Sequence, residues 1–132
     1  NSGFARDMFT LRKEIQIASV FAVGGAARLS GVDPPQAEDK ETTIAQLKER
    51  IATALAFVRS ADRGAIDASA TRTITLPLGP GRKGQMKGAD YLNHFVLPNF
   101  YFHATAAYAI LRHAGLDIGK QDFLGAIPLK QL

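Results

Sequence analysis

The chain contains no cysteine. That excludes a disulfide framework, a thiol nucleophile and any cysteine-ligated metal, and it is compatible with a reducing, cytoplasmic home. Long apolar runs are also missing: none approaches the ~18 residues that a bilayer-spanning helix needs. The start, Asn1-Ser2-Gly3, has neither an initiator methionine nor a basic-then-apolar export signal. Charge is only mildly one-sided, with sixteen basic and twelve acidic residues for a net +4. The basic residues are scattered, and Arg82-Lys83 with Lys87 is the nearest thing to a cluster. A nucleic-acid surface usually needs a basic stripe interleaved with stacking aromatics, so neither nucleic acid nor membrane is expected as a partner. Paired carboxylates for acid–base work are not evident, because Glu38, Asp39 and Glu41 fall in a loop and read as solvated charge. Ser19 and Ser30 lack a nucleophile-elbow context. Gly79-x-Gly81-x-x-Gly84 matches a dinucleotide fingerprint by letter, but it contains Pro80 and opens no helix.

What is present suits one domain over residues 1–132, with 46% hydrophobic residues around a single core. From about Thr10 to Leu29, the residues Leu11, Ile15, Ala18, Phe21 or Ala22, and Leu29 recur at helical spacing. Ile17, Val20 and Val23 widen that apolar face, so the helix expects neighbours on more than one side. Gly24-Gly25 weakens a helix by about 1 kcal/mol per glycine, which points to close approach of another element. Gly31 and then Pro34-Pro35 end the helix.

Thr43 and Gln46 match a capping box. Ile44, Leu47, Ile51, Leu55 and Val58 then mark an apolar stripe through about Ala61, with Gln46, Lys48, Glu49, Arg50 and Thr53 facing solvent. Further on, Thr71, Thr73 and Thr75 alternate with Arg72, Ile74 and Leu76, as a strand does. Pro77, Gly79, Pro80, Gly81 and Gly84 punctuate a turn, and the chain returns through Gln85 to Lys87 as a hairpin. The last long helix spans about Ala89 to His113. Pro98 kinks it, because proline lacks the N–H that would bond the His94 carbonyl. The tail from Leu116 reads as irregular. The expected fold is all-α, an up-and-down helical bundle with a small β-hairpin between the last two long helices. The broad apolar face of the first helix calls for a further helical partner.

His94, His103 and His113 cannot share one metal. Nine residues place His94 and His103 on opposite sides of a helix, and His113 lies about 15 Å beyond His103 along its axis. Asn99 and His103, spaced i and i+4, share a face. They read either as buried polar groups or as contacts to a ligand. Asn is a poor zinc or nickel ligand, since its amide oxygen is neutral and hard. Phe95, Phe100, Tyr101, Phe102 and Tyr108 read as core or as the lining of an apolar pocket. Tyr101 and Tyr108 fall on one face and could offer hydroxyls to a pocket or a subunit partner.

The run Asn99-Phe100-Tyr101-Phe102-His103, followed by Ala107-Tyr108-Ala109-Ile110-Leu111-Arg112 and Gly115, resembles the last helix of the DinB/YfiT-like superfamily. The closer likeness is to an uncharacterised bacterial and fungal branch with a domain of unknown function. It is carried by Asp7-Met8-Phe9, Gln16-Ile17-Ala18-Ser19, Ile74-Thr75-Leu76-Pro77-Leu78, Gly88-Ala89-Asp90-Tyr91-Leu92 and Asp122-Phe123-Leu124-Gly125. The resemblance implies a four-helix bundle, in many members with a divalent metal held by three histidines. It also implies that a helix ahead of Asp7-Met8-Phe9 is absent here.

By this resemblance the paired histidines of the last helix fall at Asn99 and His103, with the Leu111-Arg112 pair setting the register. The histidine of the second bundle helix falls near Gln16. One of three ligands thus survives as histidine, so no cofactor is expected, and His103 is the one candidate for residual divalent-metal binding. What remains is a polar patch of Gln16, Asn99 and His103. Three functional readings follow. The domain binds a small polar ligand near His103, the candidate acid–base group. Alternatively it is a non-catalytic homodimeric interaction protein, or it keeps a residual metal-dependent transferase or hydrolase activity.

Overall fold

A computed structural model describes residues 2–132, with side chains from Thr10 onward. Asn1 and the side chains of Asp7-Met8-Phe9 lie outside the described residues. The element order is α1 (Ser2–Ser30), α2 (Ile44–Ser60), α3 (Arg63–Asp67), β1 (Thr73–Gly79), β2 (Arg82–Lys87) and α4 (Gly88–Asp90). A π-helical turn (Tyr91–Val96), α5 (Leu97–His113) and α6 (Lys120–Leu124) complete it. The chain is mostly helical with a two-stranded antiparallel hairpin. α1 packs against both α2 and α5.

The first helix is longer than its apolar periodicity suggests, starting at Ser2 rather than near Thr10. No proline interrupts residues 2–10, so local propensity carries the helix upstream of the patterned region. Its C-terminus is closed by a Schellman motif. Gly31 adopts φ 85°, its N–H donates to the Arg28 carbonyl at 3.2 Å, and Val32 N–H donates to the Ala27 carbonyl at 2.9 Å. Arg72 adds a cation there, donating Nη2 to the Arg28 and Leu29 carbonyls at 2.8 and 2.7 Å. A guanidinium at the negative end of the helix dipole is favourable.

α2 begins with the capping box, in which Gln46 N–H donates to Thr43 Oγ1 at 3.1 Å and Thr43 N–H to Gln46 Oε1 at 3.2 Å. Its apolar stripe is only half used. Leu47 and Ala54 are buried, while Ile44, Ile51, Leu55 and Val58 remain exposed. Helical geometry explains the split: the buried pair lies about 20–100° around the axis from the exposed four, so α2 meets α1 on one edge of its stripe. Arg50 is a second departure, since it sits on the packed side and is not solvated. Asp62 caps the short helix α3, its Oδ1 accepting from Gly64 N–H at 3.0 Å.

The hairpin pairs Thr73 with Lys87 through Gly79 with Arg82, with a register shift at Pro77–Gly79. One face of β1 supplies Ile74 and Leu76 to a core completed by Leu29, Tyr91 and Val96. The ring of Tyr91 is 1% exposed, and its hydroxyl accepts from Arg28 Nη1 at 3.1 Å. The hairpin therefore covers the end of α1 and the start of the last helical segment. Gly88 is where those pieces meet. Its N–H donates to the Arg72 carbonyl at 2.8 Å, and a Cβ added there would lie 1.9 Å from the Ser69 carbonyl oxygen.

The proline in the last long segment is accommodated by a change of helical register. Leu97 N–H reaches back to the Leu92 carbonyl, one residue further than in an α-helix, and α5 starts afresh with Pro98 in its first turn. There the missing N–H costs nothing. Asn99 Nδ2 donates to the Phe95 carbonyl at 2.7 Å, bracing the same junction. The tail is less irregular than its glycines and proline suggest: Gly119 N–H donates to Asp122 Oδ2 at 2.8 Å and starts α6.

Gly88→Ala forces a methyl group into a backbone carbonyl, and a loss of about 3 kcal/mol of unfolding free energy is expected. Gly119→Ala, where a Cβ meets nothing within 4 Å, serves as the control. Urea denaturation of the two variants checks this, and equal midpoints would refute the packing argument.

Candidate functional site

His103 projects from α5 onto α1. Its Nδ1 lies 2.6 Å from Glu14 Oε2, and the two side chains are 16% and 18% exposed. Phe21 stacks on the imidazole with centroids 5.8 Å apart and planes 11° from parallel. Phe102 meets it edge-on at 5.1 Å. Glu14 and Phe21 are seven residues apart, about two turns, so one face of α1 presents both to the same ring. A carboxylate only accepts hydrogen bonds, which makes Nδ1 the donor and fixes the ring's orientation. Among the described residues, no protein group bonds Nε2.

The other residues singled out in the sequence have different partners. Gln16 is buried, but it lies about 200° around α1 from Glu14 and donates Nε2 to Glu41 Oε1 at 2.8 Å. Asn99 sits one turn before His103 on α5 and donates to the Phe95 carbonyl. No hydrogen bond joins Gln16, Asn99 and His103 to one another. Tyr101 is exposed and Phe102 more so, which corrects the reading of both as core. The Tyr108 hydroxyl accepts from Arg112 Nη1 at 3.3 Å, and its ring packs edge-on against Phe123 at 5.6 Å. Neither tyrosine makes a ring contact or hydrogen bond with His103. His94 and His113 are exposed.

The residues present do not fit a three-ligand metal centre of the kind the resemblance implies. Gln16 points away from the face of α1 that carries Glu14 and receives His103, and its amide nitrogen is committed to Glu41 on the α2 side. Among the described residues, no three His, Cys, Asp or Glu side chains converge to hold a metal ion.

Sequence reading missed Glu14, whose only local mark is membership of a polar helix face. It also took Glu41 for solvated charge. The Glu41 side chain is 12% exposed and that of Arg50 8%. Arg50 Nη1 lies 3.2 Å from Glu41 Oε1 and 2.9 Å from Asp39 Oδ1, and Arg12 Nη1 donates to the Glu41 carbonyl at 3.3 Å. Burial works to raise the Glu41 carboxyl. The Gln16 hydrogen bond, a bond from its own backbone and the Arg50 guanidinium outweigh that and hold it below its ordinary 4.5. This cluster ties the loop before α2 to both long helices.

Beside the cluster, between α1 and α2, a cavity of about 390 Å³ opens under the Pro34–Ala37 segment. Val20, Val23, Ala54 and Phe57 supply its apolar wall, and Arg28 lines it too. It lies on the α2 side of α1, away from His103.

A helical domain with an inserted hairpin and a single inward imidazole is of the DinB-like class. The chain belongs to the family described as Domain of unknown function (DUF1993), whose model matches residues 1–124. Among solved structures it is similar to a DinB family member protein from Shewanella denitrificans, at 39% identity and a TM-score of 0.81. The match covers 92% of this chain and 68% of that one. Comparison with curated proteins gave no match. No helix among the described residues is long and apolar enough to cross a membrane.

A carboxyl held below 4.5 in the folded state stabilises the fold fully above its unfolded value, and that stabilisation is lost as pH falls through the folded value. Glu41→Gln is therefore expected to lower stability at neutral pH and to flatten its decline toward acid. Urea midpoints measured between about pH 6 and about pH 3 check this. A decline as steep in the variant as in the wild type would count against the role given to Glu41.

Proposed function

We propose that this domain binds a small polar ligand through Nε2 of His103, with Glu14 as the group that positions the imidazole. The carrying observation is the 2.6 Å contact between Nδ1 and Glu14 at a site where both side chains are mostly buried. A histidine held at one nitrogen by a carboxylate presents the other in a fixed direction, as a hydrogen-bonding or proton-transferring atom. The flat Phe21 ring on one side limits approach, and Oδ1 of Asn99, one turn away, is a second polar contact available to a ligand. Gln16, Tyr101 and Tyr108 would join only after a side-chain rearrangement. No reaction is assigned.

The test is an NMR screen of small alcohols, amides and carboxylates, read at the ring protons of His103. Binders that shift those signals and raise the melting temperature are expected, and His103→Ala should abolish both effects. Glu14→Gln keeps a hydrogen-bonding side chain without the charge, and about a tenfold loss of affinity is expected. A panel in which no compound moves the His103 signals defeats the proposal.

A second reading has its own observation. Ile44, Ile51, Leu55 and Val58 form an exposed apolar strip on α2, and an uncovered strip of this kind suits a homodimer contact. Sedimentation analysis is expected to show a dimer that Ile51→Glu with Leu55→Glu converts to a monomer. A monomeric wild-type protein would end this reading.

A further inference from the structure

The cavity between α1 and α2 has a chemistry of its own, independent of His103. Its lining includes two arginines, Arg28 and Arg50, and no acidic residue. They are not equivalent. Arg50 is neutralised by Asp39 and Glu41. Arg28 has no ion-pair partner among the described residues, and its side chain donates one hydrogen bond, to the Tyr91 hydroxyl. A guanidinium carries five N–H donors, so most of this one's hydrogen-bonding capacity is unspent. No buried side-chain nitrogen or oxygen among the described residues lacks a partner, so those donors face the cavity or solvent.

The position of Arg28 is built in. Its guanidinium folds back along α1 over Gly24, where a Cβ would lie 2.9 Å from Nη1. Tyr91, at 1% exposure, anchors it from below. The rest of the wall is apolar, from Val20, Val23, Ala54 and Phe57, with Pro34 and Pro35 opposite. Further along the same loop, Arg50 fastens the Glu38 carbonyl, Asp39 and Glu41 to α2. The bond to Tyr91 positions Arg28 before anything binds, which lowers the ordering cost of association.

From these features we infer that the cavity is a binding site for an amphipathic monocarboxylate, its carboxylate on Arg28 and its hydrocarbon body against the valines and Phe57. A planar guanidinium suits a carboxylate bidentately. The volume of about 390 Å³ falls within the usual range for small-molecule pockets. At about 30 Å³ per water-sized group it holds on the order of a dozen non-hydrogen atoms. Saturated fatty acids of medium chain length have that size and polarity.

The test is calorimetric titration of the whole chain with decanoate, and with decan-1-ol as an uncharged match. Decanoate is expected to bind with one-to-one stoichiometry, and at least tenfold more tightly than the alcohol. Arg28→Gln should abolish that preference. Because this change also touches Tyr91, a second variant is needed: Thr53→Trp, at an exposed position of α2 on the cavity rim, should block binding and keep the wild-type melting temperature. His103→Ala should bind decanoate as the wild type does, which separates this site from the one proposed above. Equal affinities for acid and alcohol would overturn the inference. So would no decanoate binding, or undiminished binding by Thr53→Trp.

Discussion

The close approach of α1 to the π-helical turn is the constraint on which the rest of the structure depends. At Gly25 a Cβ would lie 2.7 Å from Val96 Cγ1, so the absent side chain lets Val96 sit directly on the helix backbone. From that contact the two segments run antiparallel. Moving back along α1 from Gly25 to Phe21 and Glu14 corresponds to moving forward from Val96 to His103. Phe21 meets both Phe95 and His103, and Glu14 meets His103. A larger residue at position 25 would push the segments apart near the hairpin, and a 2.6 Å hydrogen bond further along tolerates little displacement. One missing side chain thus sets the geometry of the site.

Cations spend themselves on this framework in three different ways. Arg72 caps the end of α1, bonding the Leu29 carbonyl and sharing that of Arg28 with the Gly31 N–H. Arg50 joins α2 to two carboxylates of the loop before it, and its side chain is almost wholly buried. Arg28 anchors on one hydroxyl and keeps its charge. The net +4 of the chain therefore says little about partners, because the same residue type closes a helix, fastens a loop and leaves one charge at the edge of a cavity.

Much of the fold was legible in the sequence because its signals are local. The capping box at Thr43, the alternation from Thr71 to Leu76 and the stop at Gly31 each depend on residues a few positions apart. The role of Gly24-Gly25 was legible in kind, since glycine inside a helix implies that something comes close. The exposed strip on α2 was not, because periodicity gives the apolar face and not how much of it a neighbour covers. Nor was the π turn, since Pro98 announces an interruption without saying how the backbone resolves it. At the site His103 stood out through its i, i+4 spacing from Asn99 and through the resemblance, whereas Glu14 could not, because its partner lies 89 positions away. The expected patch divided for a geometric reason: Gln16 and Glu14 are two residues apart, and two residues on a helix face opposite ways.

That division gives α1 two chemical faces. One carries Glu14 and Phe21 to the imidazole, and the other carries Val20, Val23 and Gly24 to the cavity beside α2. No side chain belongs to both, so the sites share the helix and not a hydrogen-bond network. Coupling between them would require α1 to move as a rigid body against α5, and the tight seat of Val96 on Gly25 resists that movement at one end. The helix can carry two separate sites because they use different faces: Glu14 and Phe21, which meet the imidazole, stand about 60–180° around the axis from Val20, Val23 and Gly24, which line the cavity.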